Sequence, residues 1–314
     1  MHANLHINAI SRSAGRSAPG ASAYRSGTVV TDRSAVACAA YRSGQTLRDD
    51  RNEKTHDFTR KENVLHAEII TPEGAPSWMG DREKLWNAVE AGEKRKDAQL
   101  AKEIILTLPR NLDFDAQREV VRDFIKENLT SRRLVADFAI HSPEATDGDR
   151  NPHAHIMFTL RPVEGDGFGK KLTGRMGGLD DRQVLGEMRQ SYEGILNQAS
   201  EKADSQIRFD LRSLKEKGID REPQPKIGPK VTNLEKRGYQ TEWGKEVRQV
   251  KAQNQAKNAQ QAHLSYSRAT YLAARAVDSV RDDIAHKYYE VMYGPEAAYG
   301  DNPEKERDFY GHER

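Results

Sequence analysis

Five stretches of the chain alternate apolar and polar residues with a period of two, which is typical of strands that bury one face. We place these strands at Asn4–Ile10, Val64–Ile70, Lys102–Leu108, Val135–His141 and His153–Thr159. Apolar residues recur at helical spacing in Asp81–Leu100, Phe114–Leu129 and Asp181–Lys202. Because each strand has one polar face, the sequence predicts an α+β fold: an antiparallel sheet with helices on one face and a cleft on the other.

The last two predicted strands carry three histidines in phase, namely His141, His153 and His155. If these strands pair across the polar turn between them, three imidazoles converge on one patch of sheet. That is the ligand count of catalytic metal sites, which keep an open coordination position. The alternative is an exposed strand edge with solvated side chains. The histidine on the neighbouring strand favours the metal site, and the single cysteine, Cys38, argues against a closed thiolate site.

Carboxylates share the polar faces of the strands with these histidines. In the second strand the pattern places Leu65, Ala67 and Ile69 towards the core. The acids on the polar faces are Glu68, Glu103 and Asp137. One of them is predicted to accept a hydrogen bond from the second nitrogen of a ligand imidazole. For each acid the alternative is a solvated surface carboxylate.

A tandem repeat follows the first strand. Its copies read RSAPGASAYRSGTVVTD and RSAVACAAYRSGQTLRD, with Tyr24 and Tyr41 in equivalent places. We interpret each copy as a helix–turn element with one tyrosine and an arginine directly after it. Pro19 and Gly20 weaken the helix of the first copy. Ordinary packing would explain either tyrosine, but the small neighbours and the arginines favour a reactive hydroxyl.

Charge is unevenly distributed, although the net charge of the 314 residues is only +2. Six arginines precede residue 49 against a single acid, which suits a polyanion such as DNA. A glycine- and lysine-rich segment after Pro162 is predicted to be a mobile loop near the DNA. The candidate phosphate-binding residues are Arg12, Arg16, Arg25, Arg42, Lys170 and Lys171.

Cysteine content and hydropathy bear on location. One cysteine allows no internal disulfide, which is typical of a reducing cytoplasm. The sequence shows no signal peptide and no apolar run of membrane-spanning length, so we expect no membrane insertion.

Composition predicts three regions along the chain. Residues 1–232 are expected to form the globular domain, and residues 233–300 a helical extension that clamps DNA or docks on a partner. A solvated helical hairpin is the alternative for the extension. Residues 301–314 are expected to be a disordered tail.

Several motifs give the chain a family resemblance. They are ISRSAGRSA with AYRSG, HDFTRKENVLHAEI, WNAVEAGEKRKDAQLAKEIILTLP, VADFAIH with NPHAHIMFTLRP, and GIDREPQPKIGPK. Together they span about residues 4–235. The chain resembles the MobA/MobL plasmid mobilisation relaxases, and most of all the relaxase region of TraA-type conjugal transfer proteins. The resemblance implies a His-hydrophobe-His (HUH) endonuclease fold with a ferredoxin- or RRM-like core.

The resemblance also implies roles for individual residues. It assigns the metal to His141, His153 and His155, and the nucleophile to the tyrosine of AYRSG. This chain has that motif twice. Tyr24 keeps the expected distance from the first strand, whereas Tyr41 keeps the expected distance to HDFTRK and has the better helix. We favour Tyr24 because of its short path from the sheet, and paired tyrosines are the alternative.

The implied activity is strand-specific nicking and rejoining of plasmid DNA at the origin of transfer, through a covalent 5′-phosphotyrosine intermediate. The alternatives are a rolling-circle replication initiator of the same superfamily and a non-catalytic origin-binding autorepressor. The implied cofactor is a divalent metal, Mg or Mn in the cell, with Zn, Ni or Co possible in a purified sample. The implied partners are single-stranded and hairpin DNA at the origin, accessory relaxosome proteins and a type IV secretion coupling protein, in the bacterial cytoplasm.

Overall fold

A computed structural model describes residues 3–12, 34–144, 148–174, 178–225, 227 and 229–293. The first copy of the repeat, with Tyr24, Arg16 and Arg25, lies outside the described residues, and so does the expected tail at 301–314.

The described elements follow the predicted order closely. Two 3₁₀ turns lie at Ser77–Gly80 and Thr130–Arg132. The strands and helices, in chain order, are β1 (Leu5–Ser11), α1 (Ala35–Ser43), β2 (Thr46–Asp49), β3 (Lys54–Asp57), β4 (Val64–Ile70), α2 (Arg82–Gly92), β5 (Gln99–Thr107), α3 (Phe114–Asn128), β6 (Ala136–His141), β7 (His153–Thr159), β8 (Val163–Glu164), β9 (Gly167–Phe168), α4 (Arg182–Lys202), α5 (Pro229–Lys236) and α6 (Glu242–Tyr293).

One five-stranded sheet organises the first part of the chain, with strand order β1-β5-β7-β6-β4. All its neighbours pair antiparallel. The predicted α+β class with an antiparallel sheet is therefore confirmed. Two local predictions are wrong. The helix expected to reach Leu100 ends at Gly92, because Leu100 belongs to β5, and the region after Asp50 that was read as turns contains β3, which pairs with β2.

One face of the sheet is covered by α3 and α4. Phe138, Ile156 and Phe158 of the central strands are buried there with Phe124 of α3 and Leu196 of α4. The Tyr192 hydroxyl on α4 donates a 2.7 Å hydrogen bond to the Thr107 carbonyl, which fixes α4 to the end of β5. This face holds the larger share of the buried apolar side chains.

The opposite face carries the histidines, and it is not an open cleft along its whole length. Helices α1 and α2 cover part of it and bury Ala101 of β5 and Met157 of β7. These two apolar residues interrupt the polar face and need cover from water. Every residue of α1 is buried, and its alanines let the helix lie close to the strands. The histidines lie at the end of this face, where the last turn of α1 contacts His141.

Strand β4 presents its faces the other way from the prediction. Leu65 is 53% exposed, whereas His66 and Glu68 face α3. The His66 ring lies 5.5 Å from the Phe138 ring, and a Glu68 oxygen lies 2.8 Å from Arg122 of α3. Strand β4 is at the sheet edge with an irregular register after Val64, so its polar side chains find partners on the helix instead of in a cleft. Glu68 therefore does not lie on the histidine face.

The chain divides into two compact units. The first comprises Met1–Lys217 with Gly228–Tyr239, and the second comprises Gly218–Ile227 with the described residues from Gln240. The expected domain limit at residue 232 falls inside α5, and the assignment of functions to these regions stays a prediction. No helix among the described residues combines the length and hydrophobicity that a bilayer crossing needs.

The second unit is built on α6, a helix of 52 residues. The Asn254 side chain bonds the Glu222 backbone twice, at 2.8 and 2.9 Å, and so holds the preceding extended segment against the helix. Further along, α6 exposes apolar side chains, among them Tyr266, Val277 and Ile284. The predicted helical extension is thus a short helix followed by one long helix.

Helix α2 is fixed to β6 by a buried hydrogen bond that can be removed singly. Trp86 Nε1 donates to Asp137 Oδ2 at 2.8 Å, and the same carboxylate binds Arg82. We expect Trp86→Phe to lower the free energy of unfolding by about 1.5–3 kcal/mol, because it removes a buried hydrogen bond to a charged group. Urea denaturation followed by circular dichroism measures this loss. Trp78→Phe is the control, since the Trp78 ring packs on Phe168 and is partly exposed; an equal loss in both variants would contradict the expectation.

Candidate metal centre

Three imidazoles meet at the end of the central strand pair. His141 on β6 lies directly opposite His153 on β7, and His155 lies opposite Ala139. Cross-strand partners share a face, and so do residues two apart, so all three rings project to the same side. One nitrogen from each ring lies within 4.8 Å of the others. The ring centroids are 4.8 to 5.6 Å apart, so the predicted convergence is present.

Each ring is oriented by an oxygen acceptor. His155 Nδ1 donates to Glu103 Oε1 at 2.7 Å, and His153 Nδ1 donates to the Asn151 carbonyl at 2.8 Å. His141 Nε2 donates to the Arg42 carbonyl at 2.7 Å. A carboxylate or a carbonyl only accepts, so each of these nitrogens carries the proton, and the second nitrogen of each neutral ring carries a lone pair. The donor set therefore fits a divalent metal ion, with its ligand rings held in place by outer partners.

The local electrostatics keep His141 and His155 neutral. Burial lowers the pKa of His141 to about 2, assisted by the nearby His155 and Lys61. Burial also lowers the pKa of His155, and this effect outweighs the attraction of the Glu103 carboxylate. A neutral imidazole is the form that binds a metal. His141 and His155 are thus in their ligand form at physiological pH.

Glu103 forms a buried ion pair as well as its bond to His155. Arg42 Nε lies 2.5 Å from Glu103 Oε1, with both side chains almost fully buried. Burial opposes ionisation of Glu103, but Arg42 and then His155 hold the pKa of its carboxyl well below the usual range. Arg42 also donates to the Cys38 carbonyl at 2.9 Å. Of the three acids proposed from sequence to orient a ligand ring, Glu103 has the required contact.

Tyr41 lies in the last turn of α1, beside this centre. Its ring packs edge-on against Phe58 with centroids 5.3 Å apart. Lys61 Nζ lies 3.9 Å from the centroid of the same ring and 2.9 Å from the Tyr41 carbonyl oxygen. The same amine lies 3.5 Å from His141 Nε2. A single cation therefore connects the tyrosine ring with a candidate metal ligand.

Lys61 was not among the residues selected from the sequence. Burial, and next the Arg42 charge, lower its pKa to about 7. The signal was present in HDFTRKE, a motif that begins with the last two residues of β3. Because this region was read as polar turns, nothing indicated that a hairpin returns the lysine to α1 and the sheet.

The other candidates are used within the protein. Asp137 shares the histidine face, but it binds Arg82 and Trp86 of α2. Arg12 pairs with Glu90 at 2.6 Å, and Lys171 pairs with Glu93 at 3.0 Å. These two side chains and Arg42 were predicted to contact DNA; each of them pairs with an acid of the same domain, and the contact with DNA stays a prediction. Lys170 is exposed.

Several known proteins are similar to this chain in sequence. The profile of the MobA/MobL family matches residues 33–237. Conjugal transfer protein TraA of Agrobacterium fabrum is 34% identical over 209 residues, which cover 57% of this chain and 18% of TraA. Mobilization protein MobL of Acidithiobacillus ferridurans is 33% identical over 265 residues, which cover 74% of this chain and 64% of MobL. The chain thus spans less than two thirds of the length of these relatives.

A solved structure is also similar. It is described as "Molecular Basis of Vancomycin Resistance Transfer in Staphylococcus aureus", with a TM-score of 0.56 and 27% identity, and the match covers 68% of this chain and all of the other. The family match contains Tyr41, Lys61, Glu103 and the three histidines, and it begins after Tyr24. As its motifs predicted, the chain belongs to the MobA/MobL family.

Proposed function

We propose that this chain is a metal-dependent relaxase, which nicks and rejoins one strand of plasmid DNA at an origin of transfer. The observation that carries the proposal is the set of three oriented imidazoles beside a tyrosine-bearing helix. The relatives named for conjugal transfer and mobilization support a role in DNA transfer over replication initiation or simple repression.

His141, His153 and His155 hold a divalent ion in this proposal, Mg or Mn in the cell, with Zn, Ni or Co also compatible with imidazole ligands. When bound, the ion supplies Lewis-acid stabilisation of the negative charge on a phosphate. Because the ligands are neutral, they leave its double charge undiminished. Glu103 contributes by fixing the orientation of His155 through a 2.7 Å hydrogen bond.

Tyr41 is the nucleophile that the geometry supports best. Its oxygen forms a bond to the phosphorus of the scissile phosphodiester while the bond from phosphorus to O3′ breaks. The phenol loses its proton and the departing O3′ gains one, so a 5′-phosphotyrosine and a free 3′ hydroxyl result. One ester replaces another, and the reverse attack rejoins the strand without ATP.

Two observations support Tyr41 over Tyr24. Tyr41 lies in the last turn of a well-formed helix, and the carbonyl of the next residue, Arg42, accepts a hydrogen bond from His141. The family match also includes Tyr41 and starts after Tyr24. Both observations reverse the preference that the spacing from the first strand suggested. Tyr24 remains the candidate for a second transesterification.

Lys61 is the residue we propose to stabilise negative charge beside Tyr41. Its amine lies between the Tyr41 ring and His141, and burial there strengthens its interaction with an anion. A phenolate or a phosphate oxygen in this position gains a cation that needs no reorganisation.

The partners proposed for this site are single-stranded and hairpin DNA at the origin of transfer. Accessory relaxosome proteins and a type IV secretion coupling protein are the protein partners. The first unit carries the nicking site, and the apolar side chains of α6 offer a surface for DNA or for one of these proteins.

The metal requirement is tested with His155→Ala. We expect this variant to lose covalent cleavage of an oligonucleotide that carries the cognate origin, because it removes one of three metal ligands. EDTA should abolish cleavage by the wild type, and Mn²⁺ or Mg²⁺ should restore it. The control is His66→Ala, which removes a histidine from the opposite face of the sheet. Full activity of His155→Ala, or equal losses in both variants, would exclude the proposed centre.

The nucleophile is tested with Tyr41→Phe and Tyr24→Phe. We expect Tyr41→Phe to form no covalent protein–DNA adduct, because the attacking oxygen is missing, and Tyr24→Phe to form one. Denaturing gels detect the adduct, and peptide mapping of wild-type adducts identifies the linked residue. An adduct in Tyr41→Phe that maps to Tyr24 would transfer the role to Tyr24.

The role of Lys61 is tested with Lys61→Met. We expect the cleavage rate at saturating DNA to fall about 10²-fold, which is typical for loss of one group that stabilises developing charge. Arg60→Met is the control, because Arg60 is exposed next to Lys61. Arg60→Met should at most weaken DNA binding and reduce the salt dependence of that binding, and it should leave the cleavage rate at saturating DNA unchanged. A normal rate in Lys61→Met at saturating DNA argues against the assigned role.

A further inference from the structure

Residue 42 contacts the histidine centre through both its backbone and its side chain. Its carbonyl accepts the 2.7 Å hydrogen bond from His141 Nε2. Its guanidinium binds Glu103 Oε1 at 2.5 Å, and the same oxygen accepts the 2.7 Å hydrogen bond from His155. Two of the three candidate ligands are therefore tied to one residue of α1, which directly follows Tyr41.

Helix α1 has separate anchors at its two ends. At the start, the Ser34 side chain caps the helix and Glu90 Oε1 accepts from the Ala35 amide at 2.7 Å, while Glu90 Oε2 pairs with Arg12. At the end, Gly44 closes the helix with φ +66°, and a Cβ there would lie 3.2 Å from Val64. The Arg12–Glu90 pair lies at the start of α1 and Arg42 lies in its last turn, so the two ends can be perturbed separately.

Metal binding and the seating of α1 share these hydrogen bonds. A ring that coordinates a cation becomes a stronger donor through its other nitrogen, so the bonds to the Arg42 carbonyl and to Glu103 strengthen. If metal binding stabilises the packed position of α1, the packed position of α1 raises the metal affinity by the same factor, because coupling between two equilibria is reciprocal.

We infer that Arg42 is a positioning residue that couples α1 to the histidine centre, so that metal binding and closure of α1 on the sheet stabilise each other. The inference rests on the proposed function, since it requires a metal at the three histidines. Through Arg42 the ion that stabilises a phosphate also holds the helical turn that bears Tyr41.

Co²⁺ binding tests the inference without reference to activity. In Arg42→Lys the charge is kept, but one ammonium cannot reproduce the planar guanidinium contacts with both Glu103 and the Cys38 carbonyl. We expect Co²⁺ to bind about 10- to 100-fold more weakly than to the wild type, with an altered visible spectrum. The matched control is Arg12→Lys, which weakens the anchor at the other end of α1. It should change the Co²⁺ affinity less than about twofold, because the hydrogen bonds from His141 and His155 to the Arg42 carbonyl and Glu103 stay intact.

Cys38 provides a second readout from α1 itself. It is the single cysteine of the chain, it lies on α1, and it is fully buried. Iodoacetamide alkylates Cys38 only when the thiol becomes accessible. At urea concentrations where the alkylation rate does not depend on urea, this rate reports local opening of α1 and not global unfolding. Saturating Co²⁺ should slow alkylation about tenfold or more in the wild type and in Arg12→Lys, and much less in Arg42→Lys.

The outcomes separate this inference from the proposed function. Loss of Co²⁺ binding in a His153→Ala, His155→Ala double variant shows that the ion binds through the histidines. If that holds but Arg42→Lys and Arg12→Lys have the same Co²⁺ affinity and the same Cys38 protection, the inference is wrong and the metal centre stands. If the double variant binds Co²⁺ normally, both fall. Should Arg42→Lys fail to fold, the neutral pair Arg42→Met with Glu103→Gln replaces it, with the same expected loss of Co²⁺ affinity and of Cys38 protection.

Discussion

The register between β6 and β7 is the constraint on which the site depends. His141 faces His153, and the alternation of the strands then brings His155 to the same side. A slip of one residue would turn the ligands of one strand to the opposite face, into the apolar core under α3 and α4. That core prevents the slip, because either Phe138 of β6 or Ile156 and Phe158 of β7 would be moved out of it. The packing of one face thus fixes the chemistry of the other.

Buried acid–arginine pairs hold helices α1 and α2 on the polar face of the sheet. Glu103 binds Arg42, Asp137 binds Arg82, and Glu90 binds Arg12. A buried carboxylate without a partner would be strongly unfavourable, so each helix is bound to its position as long as its arginine is in place. Arg12 and Arg42, two of the six arginines before residue 49, therefore each neutralise an acid inside the domain. Charge counts along a sequence do not distinguish such arginines from those that meet DNA.

Periodicity was sufficient for the five strands of the main sheet and for the histidine cluster, because alternation is a local property and each of these strands repeats it several times. Strands β2 and β3 were missed, since four residues each among polar neighbours give no periodic signal. The roles of Lys61, Arg42 and Glu103 depend on contacts between distant segments, which a single sequence does not encode locally. Glu68 shows the same limit. Its strand was predicted correctly, but the sequence did not show that Glu68 faces α3, where it pairs with Arg122.

The last turn of α1 gives each letter of the AYRSG motif a separate task. Ala40 is buried against the sheet side, Ser43 returns a hydrogen bond to the Ala39 carbonyl, and Gly44 supplies the left-handed residue that ends the helix. Arg42 fills the space beside Glu103. Most of this signature therefore describes how the helix is built, and a single position, Tyr41, carries the hydroxyl that we propose as the nucleophile. A homologous protein that kept the helix but had lost its phenol would still match the signature at four of five positions.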